Sequence, residues 1–219
     1  MNENNMKIAI LGGTGNLGVA LAWRWARAGH EIIIGSRVVA KAQQAASEIN
    51  KRTCNGLARG IDNVAAVNAA DIIVMTVPYA AHNATIETIK PHLSGQILVD
   101  TTVPLKPPKV DIVQLPEKGC VAVQTQILVG DKARVVAAFH NVAANLLNKD
   151  VDINCDVLVT SDDLDARKVI MQLSEEAGCH ALDAGVLANA IAAEVFTSIL
   201  IHINKTYKKG HAGIRITGL

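Results

Sequence analysis

A glycine-rich turn, GGTGNLG over residues 12–18, is the part of the sequence whose spacing most clearly indicates chemistry. Gly13, Gly15 and Gly18 match G-x-G-x-x-G, in which the first glycine permits a tight turn and the second lets the backbone approach a diphosphate. The third lets a helix pack on a strand, and the helix N-terminus favours an anion. The turn therefore predicts a dinucleotide site built from Gly13, Thr14, Gly15, Asn16, Leu17 and Gly18.

The residues after the second predicted strand indicate which dinucleotide binds. NAD enzymes place an acidic residue there, about 20 residues past the glycines, to bond the ribose 2′-hydroxyl. This chain has Ser36 and Arg37 instead, with Lys41 one helical turn further on, and Thr14 can add a hydroxyl. A guanidinium matches a phosphate, whereas a carboxylate would repel it. We therefore predict NADP(H), the alternative being that Arg37 and Lys41 are ordinary surface charges.

Two further strands end in short Thr-Val-Pro sequences. One is Thr76-Val77-Pro78, and the other is the segment 101–104, which contains Val103. Ligands of open α/β sheets bind at the carboxyl ends of the strands, so these apolar side chains could support a nicotinamide ring.

No residue is predicted as a catalytic acid or base, and no metal site is predicted. His82 and His140 could face the ligand, but the sequence has no Ser-His-Asp order and no Tyr-x-x-x-Lys. Reduction of a carbonyl needs a proton donor, whereas hydride exchange between two ring cofactors can depend on positioning alone. This absence favours exchange between two rings.

The elements that position these residues alternate between strand and helix. Buried strands are predicted from short apolar runs, and helices from apolar residues spaced three and four apart. The predicted strands are Lys7–Leu11, Glu31–Gly35, Asp71–Val77, Gln96–Asp100, Arg134–Phe139, Asp156–Thr160 and His180–Asp183. The predicted helices are Asn16–Ala28, Ala40–Lys51, Ala80–Ile89, Val121–Leu128, Leu164–Ala177 and Ala184–Lys205. The proline-marked stretch Pro104–Pro116 is predicted to be a loop that lies over the carboxyl ends of the strands. The pattern indicates an α/β Rossmann-type, doubly wound, mainly parallel sheet with a small helical C-terminal appendage.

Two regions follow from this pattern. Residues 1–183 are predicted to form the NADP-binding Rossmann domain, and residues 184–219 a small helical segment that contributes to the substrate pocket and to a dimer contact. The helix Ala184–Lys205 is apolar around most of its circumference, which predicts a buried helix or the interface of a homodimer.

Composition excludes several classes of protein. Aromatic residues make up 3% of the chain, so Val, Ile, Leu and Ala must fill the core, as in parallel sheets covered on both faces. A net charge of +1 gives no electrostatic footprint for nucleic acid or a membrane surface. The four cysteines have no metal-ligand spacing, and the polar N-terminus does not resemble a signal peptide, so a cytoplasmic location is expected.

The sequence also resembles a known family. The segments KIAILGGTGNLGVALA, GHEIIIGSR, ADIIVMTVP, AFHNVAA and ALDAGVLAN are similar to the NADPH-dependent reductases of the deazaflavin coenzyme F-420, and more distantly to the cytosolic domains of six-transmembrane metalloreductases. The resemblance implies hydride exchange between NADP(H) and the deazaflavin, a homodimer, and phosphate recognition by Thr14, Ser36, Arg37 and Lys41. It also implies that Val77, Pro78 and the segment from His140 to Ala143 frame the nicotinamide.

The sequence departs from the family at one place. After ALDAGVLAN the family carries an arginine able to meet the deazaflavin, whereas this chain has Ala190-Ile191-Ala192. The second substrate therefore stays open at this point between F-420, a related flavin and another small molecule. A non-catalytic NADP-binding sensor is the remaining alternative.

Overall fold

The computed structural model describes residues 5–219, so residues 1–4 of the predicted first domain lie outside the described part of the chain. The strands are β1 Lys7–Leu11, β2 Glu31–Gly35, β3 Ala58–Ile61, β4 Ile72–Met75, β5 Gln96–Asp100, β6 Ala133–Ala137, β7 Asp156–Val159 and β8 His180–Asp183. The helices are α1 Asn16–Ala28, α2 Val39–Thr53, α3 Asn63–Asn68, α4 Tyr79–Ile89, α5 Val121–Val129, α6 Ala144–Leu147, α7 Leu164–Glu176 and α8 Ala190–Thr206.

A parallel six-stranded sheet forms the centre of the molecule, in the order β3-β2-β1-β4-β5-β6. The alternating residues of β1 show why it must be covered on both faces. Ile8 and Ile10 pack into the core shared with α1 and α2, whereas Ala9 and Leu11 pack into the core beneath α3 and α4. The strand order reverses between β1 and β4, and ligands of such sheets bind in the crevice at that point. The predicted Rossmann-type fold is confirmed.

Helix α1 ends as its sequence predicts. Gly29 adopts the left-handed conformation (φ +106°) at the C-cap, where its N–H group bonds to the carbonyl of Ala26. Trp25 is buried and packs edge-on against Phe139, with ring centroids 5.8 Å apart, and its indole N–H donates to the carbonyl of Leu173 at 2.7 Å. Helix α1 is thereby fixed to the last part of the domain.

The second half of the chain differs from the prediction in arrangement. Strands β7 and β8 pair in parallel with each other, and a single antiparallel bridge between Ala137 and Thr160 connects this small sheet to the end of β6. Helix α8 begins at Ala190 rather than at Ala184, because Gly185 takes a left-handed backbone (φ +87°).

The C-terminal segment is fixed to the body of the molecule at two buried carboxylates. Glu194 of α8 accepts hydrogen bonds from the first amides of α5, and Asp156 of β7 accepts one from the amide of Ile216 at 2.6 Å. Asp156 also pairs with Arg215 at 3.1 Å. Contacts of Glu194, Arg215 and Ile216 therefore tie the C-terminal segment to earlier parts of the chain, and the predicted boundary at residue 183 stays a prediction.

Candidate dinucleotide and substrate site

A cavity of about 700 Å³ lies at the carboxyl edge of the sheet. The glycine-rich turn, the ends of β2, β4 and β5, the start of α4 and the loop after β5 surround it. Of the residues predicted to bind the cofactor, those that line the cavity are Thr14, Gly15, Asn16, Leu17, Ser36, Arg37, Thr76, Val77, Pro78 and Val103. The structure therefore brings most of the predicted site together.

The glycines of the turn have distinct roles. The left-handed conformation falls on Gly12 (φ +74°) rather than on Gly13, and a Cβ atom on Gly13 would lie 2.7 Å from the carbonyl oxygen of Ile10. A Cβ atom on Gly18 would lie 2.6 Å from the Cα of Gly13, so helix α1 can approach the turn only because this side chain is missing. Gly13 and Gly18 thus shape the turn from behind the cavity wall.

Gly15 differs from these two because the protein itself tolerates a side chain there. Its backbone (φ −84°, ψ 167°) is ordinary for an L-residue, and the nearest atom to an added Cβ is the carbonyl oxygen of Gly12 at 3.3 Å. Gly15 nevertheless lines the cavity, and it is the N-cap of α1, where no side chain of the described residues caps the free amides. These features fit a diphosphate approaching the helix N-terminus.

The end of β2 supplies the cationic part of the cavity. Ser36 and Arg37 line it, and within residues 5–219 the Arg37 side chain makes no ion pair or hydrogen bond with the protein. The Ser36 hydroxyl accepts from the amide of Val38 at 3.1 Å and retains its own proton to donate. Lys41 is exposed on the first turn of α2 and does not line the cavity. The residues present fit a 2′-phosphate held chiefly by Ser36 and Arg37.

The ends of β4 and β5 supply the apolar part. The Thr76 hydroxyl donates to the carbonyl of Leu11 at 2.9 Å, and the Thr101 hydroxyl donates to that of Met75 at 2.8 Å. Because the backbone satisfies these hydroxyls, Val77, Pro78 and Val103 remain as the apolar surface. This surface suits one face of an aromatic ring.

Several lining residues escaped the sequence prediction. Asn63 follows a strand that was not predicted. Leu105 and Val110 belong to the proline-marked stretch, which was predicted as a loop over the carboxyl ends of the strands but was not assigned to the site. The start of α4 contributes Tyr79 and Thr85. The predicted position of this loop could have identified these residues, because a loop over the carboxyl ends of the strands covers whatever binds there.

His140 and Ala143 lie in a second, smaller pocket of about 250 Å³, between the segment after β6 and the last turns of α8. His140 is buried, and neither of its ring nitrogens has a hydrogen-bond partner among the described residues. Burial lowers the pKa of His140 to about 4, so the ring is neutral at physiological pH. Thr197 of α8 donates to the His140 carbonyl at 2.7 Å and holds this segment in place.

His82, one of the two histidines that could face the ligand, does not line the ligand cavity. It is fully buried, and its Nε2 lies 2.9 Å from Oδ2 of Asp100, which also accepts a hydrogen bond from the Thr125 hydroxyl at 2.6 Å. Burial lowers the pKa of His82, but the bond to Asp100 outweighs this effect and leaves that pKa raised. Burial alone would raise the pKa of Asp100. The hydrogen bond from His82 is the largest of the effects that oppose burial, and together they leave the pKa of Asp100 lowered. The pair is thus an internal ion pair.

Glu194 is a second buried carboxylate that the sequence did not single out. It accepts hydrogen bonds from the amides of Val121 at 2.8 Å and Ala122 at 3.0 Å, and so caps α5 from a distant helix. Burial raises the pKa of Glu194 to about 7, because these two bonds only partly offset the desolvation. The signal was a glutamate within the apolar run that begins α8, AIAAEVF over residues 190–196.

The fold and the cavity together define a class. A parallel sheet with a glycine-rich turn at its switch point, a serine and an arginine in place of the acidic residue, and an apolar floor are the features of an NADP-dependent oxidoreductase. Comparison with known proteins gives the family. The family described as "NADP oxidoreductase coenzyme F420-dependent" matches residues 7–104, and an "F420-dependent NADP reductase" of Methanothermobacter marburgensis is 39% identical over 98% of this chain and 99% of that protein. The chain belongs to the F420-dependent NADP reductase family.

Two further comparisons concern the fold and the more distant resemblance. A crystal structure described as a putative F420-dependent NADP reductase from Arthrobacter sp. FB24 superposes with a TM-score of 0.80, at 24% identity, over 98% of this chain and 100% of that chain. This likeness supports the fold. More distantly, the rat metalloreductase STEAP3 is 26% identical over 84% of this chain and 35% of that protein. Both resemblances seen in the sequence are therefore confirmed.

Proposed function

We propose that the protein transfers hydride between NADP(H) and the deazaflavin coenzyme F-420. The observation that carries the proposal is the end of β2, where Ser36 and Arg37 line the cavity and, among residues 5–219, no carboxylate does. The relatives that match over nearly the whole chain are named for this reaction, which supports F-420 as the second substrate. Family membership outweighs the missing arginine near Ile191, because an arginine would add affinity for an anion and is not a reacting group.

The protein's contribution is to bind and orient. Ser36, Arg37 and the amides at the start of α1 would hold the phosphates, and Val77, Pro78 and Val103 would support the nicotinamide. When bound, NADPH supplies the hydride itself. We propose that the deazaflavin ring enters from the pocket beside His140 and Ala143, which follows β6 at the same edge of the sheet. A neutral His140 is suited to hydrogen bonding with a carbonyl or ring nitrogen and not to donating a proton at neutral pH.

The test is a steady-state assay under anaerobic conditions. Purified protein is mixed with NADPH or NADH and with F-420, a flavin or a small imine, and both the nicotinamide and the acceptor are followed by absorbance. We expect oxidation of NADPH with F-420 and little turnover with NADH. Turnover with the imine and none with F-420 would refute the proposal and favour a different reductase on the same frame. Tight NADPH binding with no turnover of any acceptor would favour a sensor.

We further propose that α8 forms the interface of a homodimer. Phe196 and Ile199 are 39% and 40% exposed on this helix, which is a large exposure for apolar side chains. By length and composition alone, Leu187–Thr206 is apolar enough to cross a membrane, with a mean hydropathy of 1.4. Its buried Glu194 is bonded to α5, however, as suits a helix packed on a protein. Phe196→Asp should give monomers or aggregates by light scattering, and a wild-type monomer at micromolar concentration would contradict the proposal.

We also propose a division of the chain into two regions and a location. Residues 1–183 would form the NADP-binding domain, and residues 184–219 would complete the substrate pocket and the dimer contact. A cytoplasmic location agrees with the four free cysteines, three of which are buried.

A further inference from the structure

The buried cluster of His82, Asp100 and Thr125 lies immediately behind two walls of the ligand cavity. His82 belongs to the first turn of α4, directly after the lining residues Pro78–Ala81. Asp100 ends β5, directly before the lining residues Thr101–Val103. The ion pair of His82 and Asp100 therefore joins the α4 wall to the β5 wall of the same cavity.

The hydrogen bonds of Asp100 extend this connection to the backbone of the site. Its Oδ1 accepts from the amide of Thr102 at 2.9 Å, which holds the chain where it leaves β5. Its Oδ2 lies within hydrogen-bond distance of His82 Nε2 and the Thr125 hydroxyl, at 2.9 and 2.6 Å. Oδ1 of Asp100 is thus bonded to the backbone of the cavity wall, and Oδ2 is bonded to side chains of α4 and α5.

A buried cluster of this kind is unusual in a core whose role is only structural. Both His82 and Asp100 are fully inaccessible to solvent, and replacing a buried ion pair by apolar residues is often neutral or stabilising. Directional bonds fix distances that apolar contacts leave adjustable, and hydride transfer depends strongly on the placement of the reacting ring. The cluster is therefore better explained by what it positions than by the stability it adds.

We propose that Thr125, acting through Asp100, is a positioning residue that fixes the separation of the two walls around the nicotinamide. Thr125 lies on α5 and does not line the cavity, so it contacts neither substrate. The Thr125 hydroxyl donates the hydrogen bond that connects α5 to the Asp100 carboxylate. The inference rests on the proposed function for the identity of the ligand, and only on its NADPH half.

The test compares two probes that share the phosphate end. NADPH and adenosine 2′,5′-bisphosphate, which lacks the nicotinamide half, are titrated calorimetrically into wild type, Thr125→Val and Thr125→Ser. Losing one buried hydrogen bond to a charged group should weaken NADPH about tenfold. The affinity for the bisphosphate should change by about twofold at most, because α1 and β2 form the part of the cavity that would bind it. Thr125→Ser, which keeps the hydroxyl, should restore NADPH affinity.

A matched control is available in Thr88, an exposed threonine whose hydroxyl bonds to the carbonyl of Ala84 in its own helix. Thr88→Val should change neither affinity. An equal loss of both probes in Thr125→Val would show that the residue supports the whole domain, and no loss of either would show that α5 does not position the wall. Both results overturn the proposal. If Thr125→Val is insoluble, Thr125→Cys, a weaker donor of similar volume, is judged by the same criteria.

The assay also separates this inference from the proposed reaction. It measures binding of NADPH alone, so a protein that binds NADPH selectively through Thr125 but fails to reduce F-420 would refute the reaction and leave the positioning role standing. If the Thr125→Val variant reduces F-420 normally and binds NADPH with unchanged affinity, the positioning role is refuted and the proposed reaction stands.

Discussion

Replacing Arg37 by alanine tests how the protein selects its dinucleotide. Arg37 lines the cavity beside Ser36, and within the described residues its guanidinium has no protein partner, so its removal should leave the fold unaffected. Hydrogen bonds to a charged group contribute about 1.5–3 kcal/mol. Arg37→Ala should therefore weaken NADPH about tenfold to 150-fold. NADH has no 2′-phosphate, so its affinity should change by about twofold at most.

The assay is a calorimetric titration of both dinucleotides at a fixed ionic strength, because screening weakens all contacts between exposed charges. Lys51→Ala is the control. It removes the same charge from an exposed position near the other end of α2, outside the cavity, and should alter neither affinity. An equal loss of NADPH and NADH in Arg37→Ala would refute the assignment of Arg37 to the 2′-phosphate, as would an unchanged affinity for NADPH.

Three further predictions address the turn, the buried carboxylate and the histidine. Gly15→Val should abolish binding of both dinucleotides with an unchanged circular dichroism spectrum, whereas Gly18→Ala should lower the melting temperature, because its Cβ would lie 2.6 Å from the Cα of Gly13. The pKa of Glu194 is raised to about 7, so the folded state keeps a proton that the unfolded state loses above its ordinary value of 4.5. Stability should therefore fall by about 3 kcal/mol as the pH rises through that window and stay level above it, and Glu194→Gln should flatten this slope in urea titrations. His140→Asn should raise the KM for F-420 and lower kcat by much less than the 10²–10⁴ typical of a lost general acid, and a loss of three decades in kcat at constant KM would contradict it.

The elements that surround the dinucleotide could be predicted from the sequence because their signals are local. Strand β1, the glycine turn and helix α1 follow one another within residues 7–28, and each has its own pattern of apolar residues or glycines. The predictions for β1, α1, β2 and β5 match the observed bounds, and Ser36 and Arg37 lie where the ending of β2 places them. Short elements with few apolar residues escaped prediction. Strand β3 has the sequence ARGI, and it forms because Gly60 lets α2 pack directly on it.

The polar interior could not be predicted, because it depends on contacts between distant parts of the chain. From the sequence His82 could face the ligand, yet it pairs instead with Asp100, 18 residues away, and with Thr125, 43 residues away. Glu194 bonds to amides more than 70 residues earlier. The separate β7–β8 sheet has the same cause, since nothing in the apolar run of β7 specifies which neighbouring strand it pairs with.

Isotope transfer is the most direct measurement of the central claim, which is that the protein passes hydride directly from NADPH to F-420. NADPH carrying deuterium at C4 of the nicotinamide, with each stereoisomer prepared separately, is incubated with F-420 and the wild-type protein, and the reduced F-420 is analysed by mass spectrometry. We predict that one stereoisomer transfers its deuterium to the deazaflavin and the other retains it. Reduced F-420 without deuterium from either stereoisomer, or no reduction at all, would contradict the account.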